Sequence, residues 1–289
     1  MPKLTIGKAG MSAERPIKSV VMCADDYAVN APTSQGIVAL CVLGRLSATS
    51  VMVHSPRWPQ DAPALRDMRE RIDVGLHLDW TSAFAKDRGF GQGLGAVMVR
   101  AVLRRFERQA VMDEVQRQLD AFEAQWQAPP DHVDGHQHVQ QFAGLREALC
   151  EVLLRRYGSQ RPRPWLRVSL VAQAGLKAQV ITAMGARALQ GWAQQHHWPC
   201  VAPLLGAYGF DGNLNDYRQR MQAWLLDVPA QAQPALIMCH PGASAQADDE
   251  IGAARAMEFA YLASHDFVQD LRDAGVRLVR GSGHALPVE

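Results

Sequence analysis

The sequence predicts an α/β fold: a single-domain, deformed parallel (β/α) barrel of about seven units. Three observations carry that prediction. Strand-like apolar runs alternate with helical patterns through the whole chain, the signature of parallel strands joined by crossover helices. Several runs are apolar without alternation, as strands covered on both faces are. No linker, internal repeat or low-complexity segment divides the 289 residues, a length that one barrel fills. A doubly wound open sheet is the competing arrangement, but no G-x-G-x-x-G follows the first strand.

Residues 1–17 read as a polar N-terminal tail without the apolar centre of a signal peptide, and 18–289 as the domain. The strand-like runs are SVVMCA (19–24), SATSVMV (47–53), IDVGLHL (72–78), DHVDGHQ (131–137), WLRVSL (165–170), PALIMCH (234–240) and VRLV (276–279), with PCVAPLL (199–205) weaker. A first helix is announced by Asn30 as N-cap, Pro32 just inside and Gly44 near its end. Phe142, Leu145, Leu149, Val152 and Leu153 form one apolar stripe over 141–157, and Tyr217, Met221, Trp224 and Leu225 form another. Residues 96–126 and 174–196 read as longer helices.

Composition narrows the function. A formal net charge of +1 gives no general attraction to nucleic acid. The cysteines (Cys23, Cys41, Cys150, Cys200, Cys239) are odd in number and form no C-x-x-C, which fits a reduced, cytoplasmic setting. No apolar run is long enough to cross a bilayer, so any membrane contact is peripheral.

The polar residues that carry chemistry cluster at predicted strand ends. Asp25 and Asp26 follow the first strand, His77 lies in the third, His136 and His138 in the fourth, and His240 ends ALIMCH. In a barrel these ends open on one face, where active sites form. One carboxylate and two imidazoles suit Zn²⁺ or a similar ion and leave positions open for water and substrate. A neighbouring carboxylate can serve as base and an imidazole as acid. Each piece has a plainer reading: a turn or helix cap for the aspartates, a satisfied core histidine for His77, a turn for His240 before Pro241. His136 and His138, two apart in a strand, would share one face.

The segments CADDYAVN, VGLHLDW, HVDGHQHV and IMCHPG together resemble, in order, the signature segments of the YdjC-like carbohydrate deacetylases, also called the ChbG/HpnK family. The resemblance runs from about Lys18 to Arg280. It implies a deformed (β/α) barrel, one divalent metal held by Asp-His-His, and acetylated amino sugars as substrates. By position it implies Asp26, His77 and His136 as ligands, with His138 the alternative to His136. It implies Asp25 as general base and His240 as acid. Asp134, His138, Arg167 and Tyr27 would lie behind these or face substrate, Arg167 orienting Asp25 or binding substrate. Zn²⁺ is the expected ion and Mg²⁺ the alternative, since Mg²⁺ favours oxygen ligands. The chain departs from the family pattern at Tyr27-Ala28-Val29-Asn30 and at Asp134-Gly135, where Phe-Gly-Leu-Ser and Asp-Ser are usual.

The substrate's carrier stays open between soluble chito-oligosaccharides and a sugar on a polyprenyl phosphate or other lipid. On a helix through 95–109, Arg100, Arg104 and Arg108 share one face and Val99, Val102, Leu103 and Phe106 another. Such a helix either rests on an anionic membrane at the cytoplasmic face or packs its apolar side on the barrel. Trp192, His196, His197 and Trp198 line a mouth or cap a helix. A sugar isomerase, a phosphoesterase or a non-catalytic sugar-binding barrel are the competing functions. Acetate release separates the first two, and metal-independent binding without turnover marks the last.

Overall fold

The computed structural model describes residues 18–172 and 176–283, so the expected tail at 1–17 lies outside the described residues. Nine strands form one sheet: β1 (Lys18–Tyr27), β2 (Ala48–Val51), β3 (Asp73–Leu78), β4 (His132–Gly135), β5 (Trp165–Arg167), β6 (Cys200–Val201), β7 (Leu204–Leu205), β8 (Ala235–Cys239) and β9 (Val276–Leu278). Every pairing is parallel, in the order β6-β5-β4-β3-β2-β1-β8-β7, with β9 added to β1. The two ends of that order, β6 and β7, are neighbouring pieces of one stretch. Leu204 donates its amide to Leu170 (3.0 Å) on the β5 side, and Leu236 donates to Pro203 (2.9 Å) on the β8 side. Residues 200–205 thereby bring the sheet round into a nearly closed barrel of seven positions.

The last run does not join the ring. Val20 and Met22 aim their carbonyls to one side of β1, and these accept from Val279 and Ser47 respectively (both 3.0 Å). β9 therefore lies below β2, at the N-terminal end of the barrel.

The pleat of β1 sorts the core. Val20, Met22 and Ala24 face the helices, whereas Val21 and Cys23 face inward with Ala48, Trp165, Val201, Leu204, Leu236 and Met238. Asn30 caps the helix Ala31–Val42 by accepting from the Thr33 amide (2.9 Å), as expected, and Gly44 follows the helix at φ 67°. Tyr217, Met221, Trp224 and Leu225 are the buried stripe of the helix Leu214–Asp227.

Three helical expectations change. The stretch 96–126 is two helices, Leu94–Val102 and Arg108–Trp126, separated where Arg104 turns to φ 50°. Arg100, Arg104 and Arg108 consequently share no helical face. The stretch 174–196 breaks at Gly185 (φ 127°) into Leu176–Ala183 and Ala186–Gln195, and its first two residues lie outside the described residues. Phe142 precedes the helix Leu145–Tyr157. The helices Trp58–Arg66, Gly252–Ala263 and His265–Asp273 were not read from the sequence. Trp198 is buried with its indole N–H on Pro164 (2.8 Å) just before β6, so Trp198 closes a helix end and does not line the barrel mouth.

At the closed end, Asp73 in β3 accepts from Trp165 Nε1 (3.0 Å), Arg280 Nε (2.8 Å) and the Ser282 amide (2.8 Å). It is fully buried and ties the end of the described chain to the barrel floor. Asp73→Ala takes the acceptor from Trp165 Nε1 and removes one of the partners of Arg280, which keeps the Glu70 carbonyl. It should lower unfolding free energy by about 1–3 kcal/mol in urea denaturation, chiefly from the stranded Trp165 N–H. A loss under about 1 kcal/mol would show that the latch contributes little.

Candidate active site

The site begins with an irregularity in β1. Cys23 pairs with Ala48 and Ala24 with Thr49, but Tyr27 pairs with Val51, so one extra residue sits between Ala24 and Tyr27. Asp26 takes φ 68° there, in the left-handed region that asparagine and aspartate tolerate best among residues with a side chain. Asp25 continues the inward series of Val21 and Cys23. The inserted residue then shifts the alternation, and Tyr27 rejoins the outer core against Trp58. Both aspartates reach the barrel mouth from within the bulged strand, not from a turn beyond it. Tyr27 turns away: its hydroxyl donates to the Asp61 carbonyl (2.8 Å), so it neither touches substrate space nor backs the site. Ala28, where the family has glycine, also holds a positive φ of 72°.

Asp26 Oδ1 stands 3.5 Å from His77 Nε2 and 3.1 Å from His136 Nδ1. Donors about 3.3 Å apart are what ligand bonds of about 2.0–2.1 Å give around a tetrahedral ion. In His77 and Asp26 the other polar atom is already taken. His77 Nδ1 donates to Asp134 Oδ1 (2.6 Å), which fixes the ring and leaves Nε2 facing Asp26. Asp26 Oδ2 accepts from Arg255 Nη2 (2.8 Å). His136 keeps 23% of its side chain exposed, so the trio opens to solvent.

Two other groupings could by composition hold an ion, Cys23–His132–Asp134 and Asp25–His77–Asp134. Arg167 occupies the middle of both. Its fully buried guanidinium donates to Asp25 Oδ2 (2.7 Å) and Oδ1 (2.6 Å), stands 2.6 Å from Asp134 Oδ2, and donates to Cys23 Sγ (3.0 Å). A cation is built into those groupings, and a second one would meet its repulsion. Among the described residues, Asp26, His77 and His136 are the set whose chemistry and spacing fit a divalent ion.

His138 is not part of that set. β4 ends at Gly135, and His136–Gln141 is a tight turn in which Gln137 and His138 take φ 53° and 63°. The two histidines therefore share no strand face. His138 Nδ1 lies 3.0 Å from Ser169 Oγ, and burial together with Arg167 pushes its pKa down to about 3.

Electrostatics separates the paired carboxylates. Burial raises the pKa of Asp25, but Arg167 and His77 together outweigh it and hold the carboxyl below the usual range. Burial likewise works on Asp26, and Arg255 and His136 hold it well below that range. His240 follows β8, with Nε2 3.8 Å from Asp25 Oδ2 and the edge of the Phe210 ring packed against it. Burial pushes its pKa down to about 4. Its backbone amide donates to Glu258 Oε2 (2.5 Å), a fully buried acid that burial pushes up to about 7.

The sequence profile of the YdjC-like protein family matches residues 19–273, nearly the whole barrel. The chain belongs to that family. A mouse carbohydrate deacetylase is 26% identical to this YdjC-like protein over 247 residues, which are 78% of this chain and 79% of the mouse protein. Among solved structures, one described as a cellobiose-phosphate cleavage protein of Enterococcus faecalis superposes with a TM-score of 0.69 at 17% identity, covering 93% of this chain and all of that one. A peptidoglycan N-acetylglucosamine deacetylase superposes with a TM-score of 0.50 at 7% identity over 92% of this chain and 87% of its own. Those two likenesses concern the fold.

Arg255, Glu258, Ser50 and His132 were missed from the sequence. The first two are polar residues on the buried face of an unread helix. Ser50 donates to Asp134 Oδ2 (2.5 Å) and lies 3.0 Å from His132 Nε2, inside a strand that reads simply as apolar. Arg167 is the member whose loss tests the network most directly. Arg167→Met leaves Asp25 and Asp134 buried without their cation. Unfolding free energy should drop by about 3–5 kcal/mol, or the carboxylates should take up protons. Unchanged denaturant midpoints from pH 5 to pH 8 would contradict this account.

Proposed function

We propose that this YdjC-like protein is a metal-dependent hydrolase that removes the acetyl group from an N-acetylated amino sugar. The observation that carries the reading is the pairing of an open Asp26–His77–His136 trio with a separate, Arg167-held carboxylate, Asp25. The mouse relative, itself a carbohydrate deacetylase, supports the substrate class. Asp26, His77 and His136 would hold a divalent ion, which would supply Lewis acidity toward the acetyl carbonyl and water. Zn²⁺ suits the two imidazoles better than Mg²⁺ does.

The chain's own groups handle the proton. Asp25 is ionised at neutral pH because Arg167 holds it so, and it accepts the proton of the attacking water. His240 begins neutral, its pKa pushed down to about 4 by burial. The proton it gives to the departing amine therefore arrives from that water by way of Asp25, 3.8 Å from Nε2. The one proton removed from water is the one delivered to nitrogen, and the pair ends as it began. Arg167 is too committed to Asp25 and Asp134 to bind substrate, so its part is to hold the base.

Asp25→Asn should retain metal and fold yet lose kcat by about 100-fold or more in an acetate-release assay on N-acetylglucosamine oligomers and glycosides. Chelator should abolish wild-type acetate release, and Zn²⁺ should restore it. Near-wild-type turnover by metal-loaded Asp25→Asn would refute the assignment of the base.

For the finer substrate, the reading is an amino sugar carried on a lipid and met at a membrane surface. Two features support it. The helix Leu94–Val102 packs Val97 and Ala101 on the core, yet Val99, Val102 and Leu103 are 57%, 71% and 51% exposed beside the exposed Arg104 and Arg105, an apolar and basic patch on its outer side. A groove of about 310 Å³ lies beyond Phe210, lined by Leu214, Ala253, Ala254, Met257 and Ala260. Its polar side chain, Asn213, is engaged in capping the helix Leu214–Asp227, which leaves little to greet sugar hydroxyls. No described helix is long and apolar enough to cross a membrane. Co-sedimentation with vesicles containing phosphatidylglycerol should fall at least fivefold in a Val102→Asp, Leu103→Asp double variant. Sedimentation equal to wild type, or none for wild type, would leave soluble chito-oligosaccharides as the substrate.

A further inference from the structure

We propose that Arg255 is a positioning residue: it fixes Asp26 so that Oδ1 alone faces His77 and His136, and thereby sets the protein's affinity for the divalent ion. The proposal rests on the reading of those three residues as a metal site.

The two oxygens of Asp26 have different partners. Oδ1 is the atom near both imidazoles, at 3.5 and 3.1 Å. Oδ2 is engaged by Arg255 Nη2 at 2.8 Å. A carboxylate free to rotate could offer an ion either oxygen or both; one held at Oδ2 offers one. The restraint matters because Asp26 sits on the inserted residue of β1, at φ 68°, where no pleat dictates the direction of its side chain.

Arg255 is itself held. Its Nε donates to Asp249 Oδ2 (2.7 Å), which also accepts from Asn30 Nδ2 (3.1 Å). Asn30 is the N-cap of the helix that follows β1. The chain of contacts thus runs from Asp26 through Arg255 and Asp249 back to the residues just after Asp26, closing a small, half-buried loop. Asp249 also decides the sign of the effect. A bare guanidinium beside a divalent ion would repel it. With Asp249 on Nε and Asp26 on Nη2, the charge of Arg255 is matched twice, and direction is what it contributes.

The same helix carries Glu258 one turn on, which accepts the His240 amide and the Tyr208 hydroxyl (2.7 Å). That contact concerns His240 and not the ion, so Glu258 serves as the comparison.

The test is Zn²⁺ binding to the metal-stripped full chain, by competition with a fluorescent chelator. Arg255→Gln should bind Zn²⁺ about 10- to 100-fold more weakly than wild type, the usual cost of losing a group that orients a ligand. Arg255→Lys should recover part of the loss, and Glu258→Gln should bind as wild type does. The visible spectrum of the Co²⁺-loaded protein should change in Arg255→Gln and persist in Glu258→Gln. A purely structural arginine would lower thermal stability and leave Zn²⁺ affinity and that spectrum alone. Affinity in folded Arg255→Gln equal to or tighter than wild type overturns the proposal. Where that variant does not fold, Asp249→Asn decides: weaker binding supports the clamp, and unchanged binding overturns it. A wild-type chain that binds no divalent ion sinks the metal reading itself, a result distinguishable from equal binding by all variants.

Discussion

One inserted residue in β1 organises the mouth of this barrel. A regular strand sends consecutive side chains to opposite faces, so two adjacent aspartates could not both look into the site. The register step between Ala24 and Tyr27 removes that constraint for Asp26 alone. Asp25 stays on the inner face, Asp26 joins it at the rim, and Tyr27 is returned to the outer core on its hydroxyl bond to Asp61. Ala28 then carries a second positive φ, which the buried hydroxyls around it help to hold: Ser34 accepts from its amide (3.1 Å) and Ser55 donates to its carbonyl (2.6 Å). Strain at this turn is supported by hydrogen bonds to elements on either side.

Having two neighbouring carboxylates is useful only if they do different work, and two arginines from distant parts of the chain enforce the difference. Arg167, at the end of β5, takes both oxygens of Asp25. Arg255, from the helix after β8, takes one oxygen of Asp26 and leaves the other toward His77 and His136. Bidentate capture makes Asp25 a carboxylate with fixed orientation and little freedom to bind an ion. Single-point capture leaves Asp26 one oxygen facing the imidazoles. The proposed division of labour between base and ligand would therefore be set by guanidinium geometry as much as by the aspartates themselves.

Much of this was legible in the sequence. The apolar runs gave the strands because strands buried on both faces leave a recognisable composition, but VRLV lies outside the ring and the weaker run PCVAPLL supplies its seventh position. Asp25, Asp26, His77, His136 and His240 were found because strand ends converge in a barrel. The illegible parts have common physical causes. Arg104 and Gly185 break helices whose apolar spacing continues across the break, so periodicity alone joined them. His138 was paired with His136 on the assumption of an extended strand, whereas two left-handed residues follow Gly135 and separate the rings. Arg255 and Glu258 announced nothing, because a buried charge becomes recognisable only when its partner, here 229 and 18 residues away, is known to stand opposite.

Beside the apolar residues that line part of it, the interior of this barrel holds a polar column where a barrel of this kind usually stacks branched aliphatic side chains. From the floor upward run Asp73 with Arg280 and Trp165, then His132 stacked on Trp165 at 4.2 Å, then Ser50, Cys23, Asp134 and Arg167, and finally the rim residues. Each of these charges loses its hydration on burial, and such pairs stabilise a fold less than well-packed apolar groups of the same volume. What the column provides is direction. Asp25 is gripped by Arg167, and His77 by Asp134, which Ser50 and Arg167 hold in turn, so those two side chains have few alternative rotamers available. A site that must stabilise charge developing on a substrate works best when its dipoles need not reorganise at that moment. The inner column trades core stability for that preorganisation, and the large apolar layer between sheet and helices supplies the stability that the interior gives up.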